Sequence, residues 1–129
     1  WGCHKQKCVA LSSTEAEYIA LAECLQELKW IRKLMDDIGE PTVLPIPVKE
    51  DNQSCIVLTQ DDRTEKKSKH IDTKYNFVKD LVREGVVRLE YCPSADMEAD
   101  LLTKPLPAVK LGQLRKAIGI DASIAEEEC

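Results

Sequence analysis

The stretch VALSSTEAEYIAL, residues Val9–Leu21, decides the fold class, because a strand passes into a helix within it. Lys7–Leu11 is mostly apolar and predicts a short strand, which the polar residues after it end. A long helix is expected from there to about Ile38, where Gly39 and Pro41 stop it. Its apolar residues recur every three or four positions and predict one buried stripe: Tyr18, Leu21, Leu25, Leu28, Ile31 and Met35.

The remainder of the chain alternates between strand and helix patterns. Strands are expected at Ile46–Asp51 and Val86–Cys92, where apolar and polar residues alternate. Between them, Asn52 or Ser54 can cap a short helix to about Leu58. The spacing of Ile71, Tyr75, Val78 and Val82 predicts a further helix that ends at Gly85. Two more helices are predicted at Asp96–Thr103 and Ala108–Ile118. This order predicts an α/β fold in which consecutive strands joined by helices run parallel.

Three acidic residues stand at or near predicted helix starts: Glu17, Asp51 and Asp100. Carboxylates that are distant in sequence but gathered at element ends suit a hard cation on an α/β scaffold. Mg²⁺ takes oxygen ligands and is usually held by a few carboxylates together with substrate phosphate. Active sites of such sheets gather at the carboxyl ends of strands, where Asp51 is expected. The pattern therefore indicates phosphodiester chemistry.

Each of these carboxylates also has a structural interpretation. Glu17 can close a capping box begun by Thr14, although Ser12 and Glu15 form a competing box. Asp51 can simply cap the following helix. Asp100 falls within a predicted helix beside Leu101 and Leu102, where aspartate has poor propensity, which favours a functional interpretation.

Composition restricts the class of protein. The 129 residues suffice for one domain, and the net charge of −5, from 23 acidic and 18 basic residues, argues against a general DNA-coating protein. Five basic residues nevertheless form a cluster: Arg63, Lys66, Lys67, Lys69 and His70. The cluster is typical either of a segment that contacts phosphates or of a solvated loop.

The cysteines and the apolar runs indicate a reduced compartment and no membrane segment. The six cysteines include no CxxC pair, and most lie in apolar runs, so we expect reduced thiols. Cys3, His4 and Cys8 lack the second ligand pair of a zinc site. The sequence shows neither a signal peptide nor an apolar run long enough to span a membrane, and because it begins at Trp1 we expect a fragment or a cleaved product.

Several segments together carry a family resemblance. KQKCVALSSTEAEYIAL, EDNQSCIVL, KSKHIDTKYNFVKDLVREG, ADLLTKPL and LRKAIGI closely resemble, in order and spacing, the ribonuclease H domain at the carboxyl end of copia-type LTR retrotransposon polyproteins. The resemblance runs from Trp1 to about Ile120. It implies a domain over residues 1–120, with a polar tail at 121–129, and hydrolysis of the RNA strand of RNA–DNA hybrids during reverse transcription.

The resemblance also implies roles for particular residues. Family members use an Asp-Glu-Asp-Asp set to hold two Mg²⁺ ions, for which Mn²⁺ can substitute. Glu17 and Asp51 would hold the ion on the leaving-group side, and Asp100 would help hold the ion that activates water. The residues expected to contact the hybrid are Thr14, Asn52, Gln53, Lys66, Lys67, Lys69 and His70. The reverse transcriptase portion of the same polyprotein would be a partner, in the cytoplasmic virus-like particle of the element or in the nucleus.

The chain also departs from the family pattern. The family's first Asp lies on a strand that precedes this sequence, so the resemblance implies an amino-terminally truncated ribonuclease H-like fold, lacking the first strand and most of the second, with a mixed sheet flanked by helices. Lys7–Leu11 would then lack its neighbouring strands, and only Ile46–Asp51 and Val86–Cys92 would be adjacent. The family's loop histidine is also missing, and His70 opens a different helix, where capping or phosphate contact suits it better. We therefore expect the chain alone to be inactive, and the alternative to an enzyme is a non-catalytic remnant that serves as a structural or nucleic-acid-binding module.

Overall fold

The computed structural model describes residues 12–60 and 69–120, and these form two compact units that meet in sequence between Tyr91 and Cys92. The strand predicted at Lys7–Leu11, the basic residues Lys66 and Lys67, and the tail 121–129 lie outside the described residues.

The described residues of the first unit form three α-helices and two strands, each of which occurs where the sequence predicts it. They are α1 (Ser13–Asp37), β1 (Ile46–Glu50), α2 (Gln53–Gln60), α3 (Lys69–Arg83) and β2 (Val87–Tyr91). Gly85 follows α3 with a φ of +69°, a left-handed conformation that side chains disfavour, so the predicted glycine stop is confirmed. None of the helices in the described parts of the chain is both long and apolar enough to cross a membrane.

The two strands pair in parallel, as the sequence predicts. The register aligns Ile46 with Val87, Val48 with Leu89, and Glu50 with Tyr91. Parallel pairing requires a long crossover, and α2 and α3 provide it here. The described residues thus contain a two-stranded parallel sheet, and the larger mixed sheet stays a prediction.

The core of this unit lies between the three helices and the sheet. Its central residues are Tyr18, Leu21, Ala22, Leu25, Cys55, Val78, Leu81 and Val87. The Tyr18 and Tyr75 rings stack with centroids 3.9 Å apart, and the Tyr18 hydroxyl donates a hydrogen bond to the Tyr75 carbonyl oxygen at 3.1 Å. Helix α1 is therefore attached to α3 by both apolar and polar contacts.

The apolar stripe predicted along α1 is confirmed except at Ile31. Tyr18, Leu21 and Leu25 are buried, Leu28 and Met35 are half-buried, and Ile31 is 46% exposed. The prediction for Ile31 was wrong because periodicity identifies the apolar side of a helix but not which of its residues find packing partners.

The second unit differs from its prediction at the helix expected over Asp96–Thr103. Two short 3₁₀ helices, Ser94–Asp96 and Glu98–Leu102, occupy this segment, and α4 (Ala108–Ala117) follows as predicted. Met97 adopts an extended conformation, with φ −71° and ψ 105°, and divides the segment between Pro93 and Pro105 into pieces of three and five residues, a length at which 3₁₀ geometry is common. Helix α4 packs against the second 3₁₀ helix.

We predict that Tyr18→Phe lowers the free energy of unfolding by about 1 kcal/mol, since it keeps the ring stack and removes only the hydrogen bond to the Tyr75 carbonyl. Urea unfolding monitored by circular dichroism measures the change. Tyr91→Phe is the matched control, because the Tyr91 side chain is 51% exposed, and its effect should stay within about 0.5 kcal/mol. Equal effects of the two substitutions would contradict the role assigned to the Tyr18 hydroxyl.

Candidate metal centre

The start of α1 is capped by Ser12, which leaves Glu17 available for another role. The Ser12 Oγ accepts a hydrogen bond from the Glu15 backbone N–H at 3.2 Å. Of the two capping boxes that the sequence allowed, the one begun by Ser12 therefore provides the cap, and the Thr14–Glu17 alternative is not used. Glu17 lies one helical turn before Leu21 with an exposed side chain.

The end of β1 supplies a buried carboxylate that the sequence analysis did not single out. Ile46, Val48 and Glu50 occupy the inward positions of the strand, and Glu50 is only 7% exposed. The signal that could have identified it was the period of two along the strand, which places Glu50 on the same face as the two apolar residues.

Asn52, not Asp51, caps helix α2. The Asn52 Oδ1 accepts a hydrogen bond from the Cys55 backbone N–H at 3.1 Å, and the Asn52 carbonyl oxygen also accepts from the N–H groups of Cys55 and Ile56. The structural interpretation of Asp51 as the helix cap is therefore wrong, because the adjacent Asn52 satisfies the first turn.

The described residues bring three carboxylates together where β1 ends. One carboxylate oxygen from each of Glu17, Glu50 and Asp51 lies within 4.8 Å of the other two. Oxygens bound to a Mg²⁺ ion are about 3 to 4.2 Å apart, so small side-chain movements would let them share an ion. Such an all-oxygen set suits Mg²⁺ or Mn²⁺ better than a metal that prefers thiolate or imidazole.

Burial and like charges both act on this group. Burial raises the pKa of Glu50, the negative charges of Glu17 and Asp51 raise it further, and hydrogen bonds from the backbone N–H groups of Asn52 and Asp51 oppose the rise. Burial also raises the pKa of the Cys55 thiol to about 12, with additional contributions from the Glu50 and Glu17 charges and from a hydrogen bond to Glu50. The negative charges of Glu17 and Asp51 thus act against the charged form of Glu50, and a cation bound among the three carboxylates would offset this repulsion.

Asp100 belongs to the second unit, where it lies in the 3₁₀ helix Glu98–Leu102. One of its carboxylate oxygens is 3.0 Å from the Lys104 Nζ, and the Asp100 side chain is 14% exposed. Because Asp100 lies in a 3₁₀ helix, its poor α-helix propensity no longer favours a functional role. The approach of the Asp100 carboxylate to Glu17 and Asp51 stays a prediction.

The residues expected to contact nucleic acid are distributed over several elements. Thr14 is half-buried in the first turn of α1, and Gln53 is exposed at the first position of α2. Asn52 commits its side-chain oxygen to the cap, which leaves its amide NH₂ as a possible donor. Lys69 and His70 open α3, and their role stays a prediction, as do those of Lys66 and Lys67.

The chain is similar to parts of three plant transposon polyproteins. It is 31% identical over 128 residues, or 95% of the chain, to the retrovirus-related Pol polyprotein from transposon TNT 1-94 of Nicotiana tabacum. It is 35% and 33% identical over 120 residues, or 93% of the chain, to the retrovirus-related Pol polyproteins from transposons RE2 and RE1 of Arabidopsis thaliana. The chain is homologous to a segment of these Pol polyproteins.

This Pol homologue spans 8–9% of the length of those relatives. No protein-family model matches it. No solved structure is significantly similar to it.

We predict that Cys55 of this Pol homologue resists alkylation at pH 8 while the protein is folded. A thiol with a pKa of about 12 is ionised in roughly one molecule in ten thousand at that pH, and its side chain is also fully buried. Iodoacetamide labelling followed by peptide mass spectrometry measures the extent of reaction. Cys24, which is exposed, is the internal control and should react in the native protein. Labelling of Cys55 as rapid in the native protein as in urea would contradict its burial beside Glu50.

Proposed function

We propose that this chain is part of the ribonuclease H region of a retrotransposon Pol polyprotein, and that this region, in the intact polyprotein, hydrolyses the RNA strand of RNA–DNA hybrids during reverse transcription. The proposal rests on the family resemblance of its segments, on the homology to Pol polyproteins, and on the geometry at the end of β1.

The observation that carries the proposal is the approach of Glu17 to Asp51. These residues lie 34 positions apart in sequence and on different elements, yet their carboxylate oxygens are within 4.8 Å of each other. Packing of α1 against the core, rather than local sequence, produces this approach. These are also the two residues to which the resemblance assigns one ion.

Glu17 and Asp51 would hold one Mg²⁺ ion at the carboxyl end of β1, and Asp100 would contribute to a second. Bound ions of this kind supply charge neutralisation for the attacking and leaving oxygens of an in-line phosphodiester displacement. The protein's own contribution is to fix the carboxylates in advance, since positioning accounts for much of catalysis in such reactions. Asp100 would then exchange its ion pair with Lys104 for the cation.

Nucleic acid would approach over the start of α1 and the start of α2. Thr14 and Gln53 lie in the first turns of these helices, where backbone N–H groups favour phosphate. Discrimination of RNA from DNA would come from contacts with the 2′-hydroxyl and from the shape of the hybrid groove.

The first test of the proposal is cation binding. We predict that the 129-residue chain binds Mn²⁺, and that Asp51→Asn weakens this binding at least about tenfold, because it removes one charged oxygen ligand. Electron paramagnetic resonance of free Mn²⁺ gives the Kd. Asp36→Asn is the matched control, since it removes one negative charge from the exposed end of α1 and should leave the Kd unchanged. Identical Kd values for the wild type and Asp51→Asn would contradict the proposed ion site.

The second test is cleavage of a labelled RNA–DNA hybrid in Mg²⁺ or Mn²⁺. The 129 residues alone are expected to give no measurable cleavage, because the family's bridging Asp is not among them. A chimera with an added amino-terminal strand that carries this Asp should cleave, and Asp51→Asn should abolish its activity. A chimera that binds Mn²⁺ and hybrid without cleaving would favour the non-catalytic module instead.

The basic segment is tested by the salt dependence of hybrid binding. We predict that replacing Lys66, Lys67 and Lys69 together with Ala weakens binding and flattens the dependence of log K on log salt concentration, because fewer counterions are released from the phosphates. Fluorescence anisotropy at several salt concentrations measures the slope. An unchanged slope would assign these lysines to a solvated surface.

A further inference from the structure

We propose that Glu50 is a positioning residue of the candidate cation site, and that it acts by holding the turn that carries Asp51. This inference rests on the proposed function, and it concerns a residue that the resemblance does not assign to the site.

Glu50 binds to the backbone immediately after Asp51. Its Oε1 accepts a hydrogen bond from the Asn52 N–H at 3.0 Å. The carboxylate of the last strand residue thus closes a loop over Asp51, so that the backbone on both sides of Asp51 is fixed. Because the Glu50 side chain is 7% exposed, water competes little for this hydrogen bond.

The other end of the turn is fixed by helix α2. The Asn52 Oδ1 accepts a hydrogen bond from the Cys55 backbone N–H at 3.1 Å. Two consecutive hydrogen bonds therefore link Glu50 to Asn52 and Asn52 to Cys55, from the strand end to the first turn of the helix. Asp51 lies within this linked segment, which restricts the direction of its side chain.

Burying a carboxylate to hold a turn costs more folding free energy than burying a neutral side chain. Its position within 4.8 Å of two like-charged groups adds repulsion to the loss of hydration. A neutral side chain with the same acceptor oxygen, such as glutamine, would avoid the repulsion and would lower the cost of lost hydration. Selection for stability alone does not favour a carboxylate here, whereas a site that binds a cation tolerates it.

The test compares two neutral replacements, so that the loss of charge is the same in both. Glu50→Gln retains an acceptor oxygen for the Asn52 N–H, whereas Glu50→Leu has similar size and no acceptor. We expect Glu50→Leu to bind Mn²⁺ at least about tenfold more weakly than Glu50→Gln, because only the latter keeps Asp51 directed at Glu17. Glu84→Gln and Glu84→Leu, made at an exposed position of the same unit, should not differ from each other.

Amide hydrogen exchange provides a readout that does not depend on the cation. The Asn52 amide should be protected in the wild type and in Glu50→Gln, and it should lose that protection in Glu50→Leu while the amides of β1 keep theirs. An unprotected Asn52 amide in the wild type would overturn the inference, as would equal Mn²⁺ affinities of Glu50→Gln and Glu50→Leu. If the wild type itself binds no Mn²⁺, the proposed function fails, and the exchange comparison alone then decides whether Glu50 holds the turn.

Discussion

The contact between Tyr18 and Tyr75 is the constraint on which the first unit depends. Ring stacking at 3.9 Å and the hydrogen bond from the Tyr18 hydroxyl to the Tyr75 carbonyl fix α1 relative to α3, both in its position along its axis and in its rotation about that axis. Glu17 is the neighbour of Tyr18 in sequence, so its direction is fixed at the same time. A helix held only by aliphatic contacts could rotate or slide by part of a turn with little cost. Here such a movement would break a hydrogen bond in the core and would carry Glu17 away from β1.

The carboxylates at the end of β1 reflect a conflict between stability and function. Glu50 is buried beside two groups of like charge, and its pKa is raised as a result. Natural proteins commonly concentrate such unfavourable arrangements at functional sites, where a ligand relieves them. The hydrogen bonds from the backbone N–H groups of Asn52 and Asp51 reduce the cost without removing it. This balance distinguishes the end of β1 from acidic residues elsewhere on α1, such as Asp36 and Asp37, which are exposed.

The local features of the fold could be predicted because short-range rules govern them. The period of three to four residues identified α1 and α3, the period of two identified β1 and β2, and Gly39 and Gly85 marked the helix ends. Parallel pairing of the strands followed from the helices between them. The errors arose where more than local spacing decides the outcome: the segment between Pro93 and Pro105 forms two 3₁₀ helices on either side of an extended Met97, and Ile31 is exposed although it follows the spacing of the buried stripe.

The sequence by itself determined which residue types stand at the ends of elements, and so it identified Glu17 and Asp51 as ligand candidates. It left two capping boxes open for α1 and two functions open for Asp51, because each alternative satisfies the same local spacing. Only the tertiary structure decided between them, by placing Ser12 at the cap of α1 and Asn52 at the cap of α2. It also brought Glu50 into the group, since the approach of three carboxylates depends on how α1 packs across the strand end. Local preference acts within a few residues, whereas burial and long-range contact are properties of the packed chain.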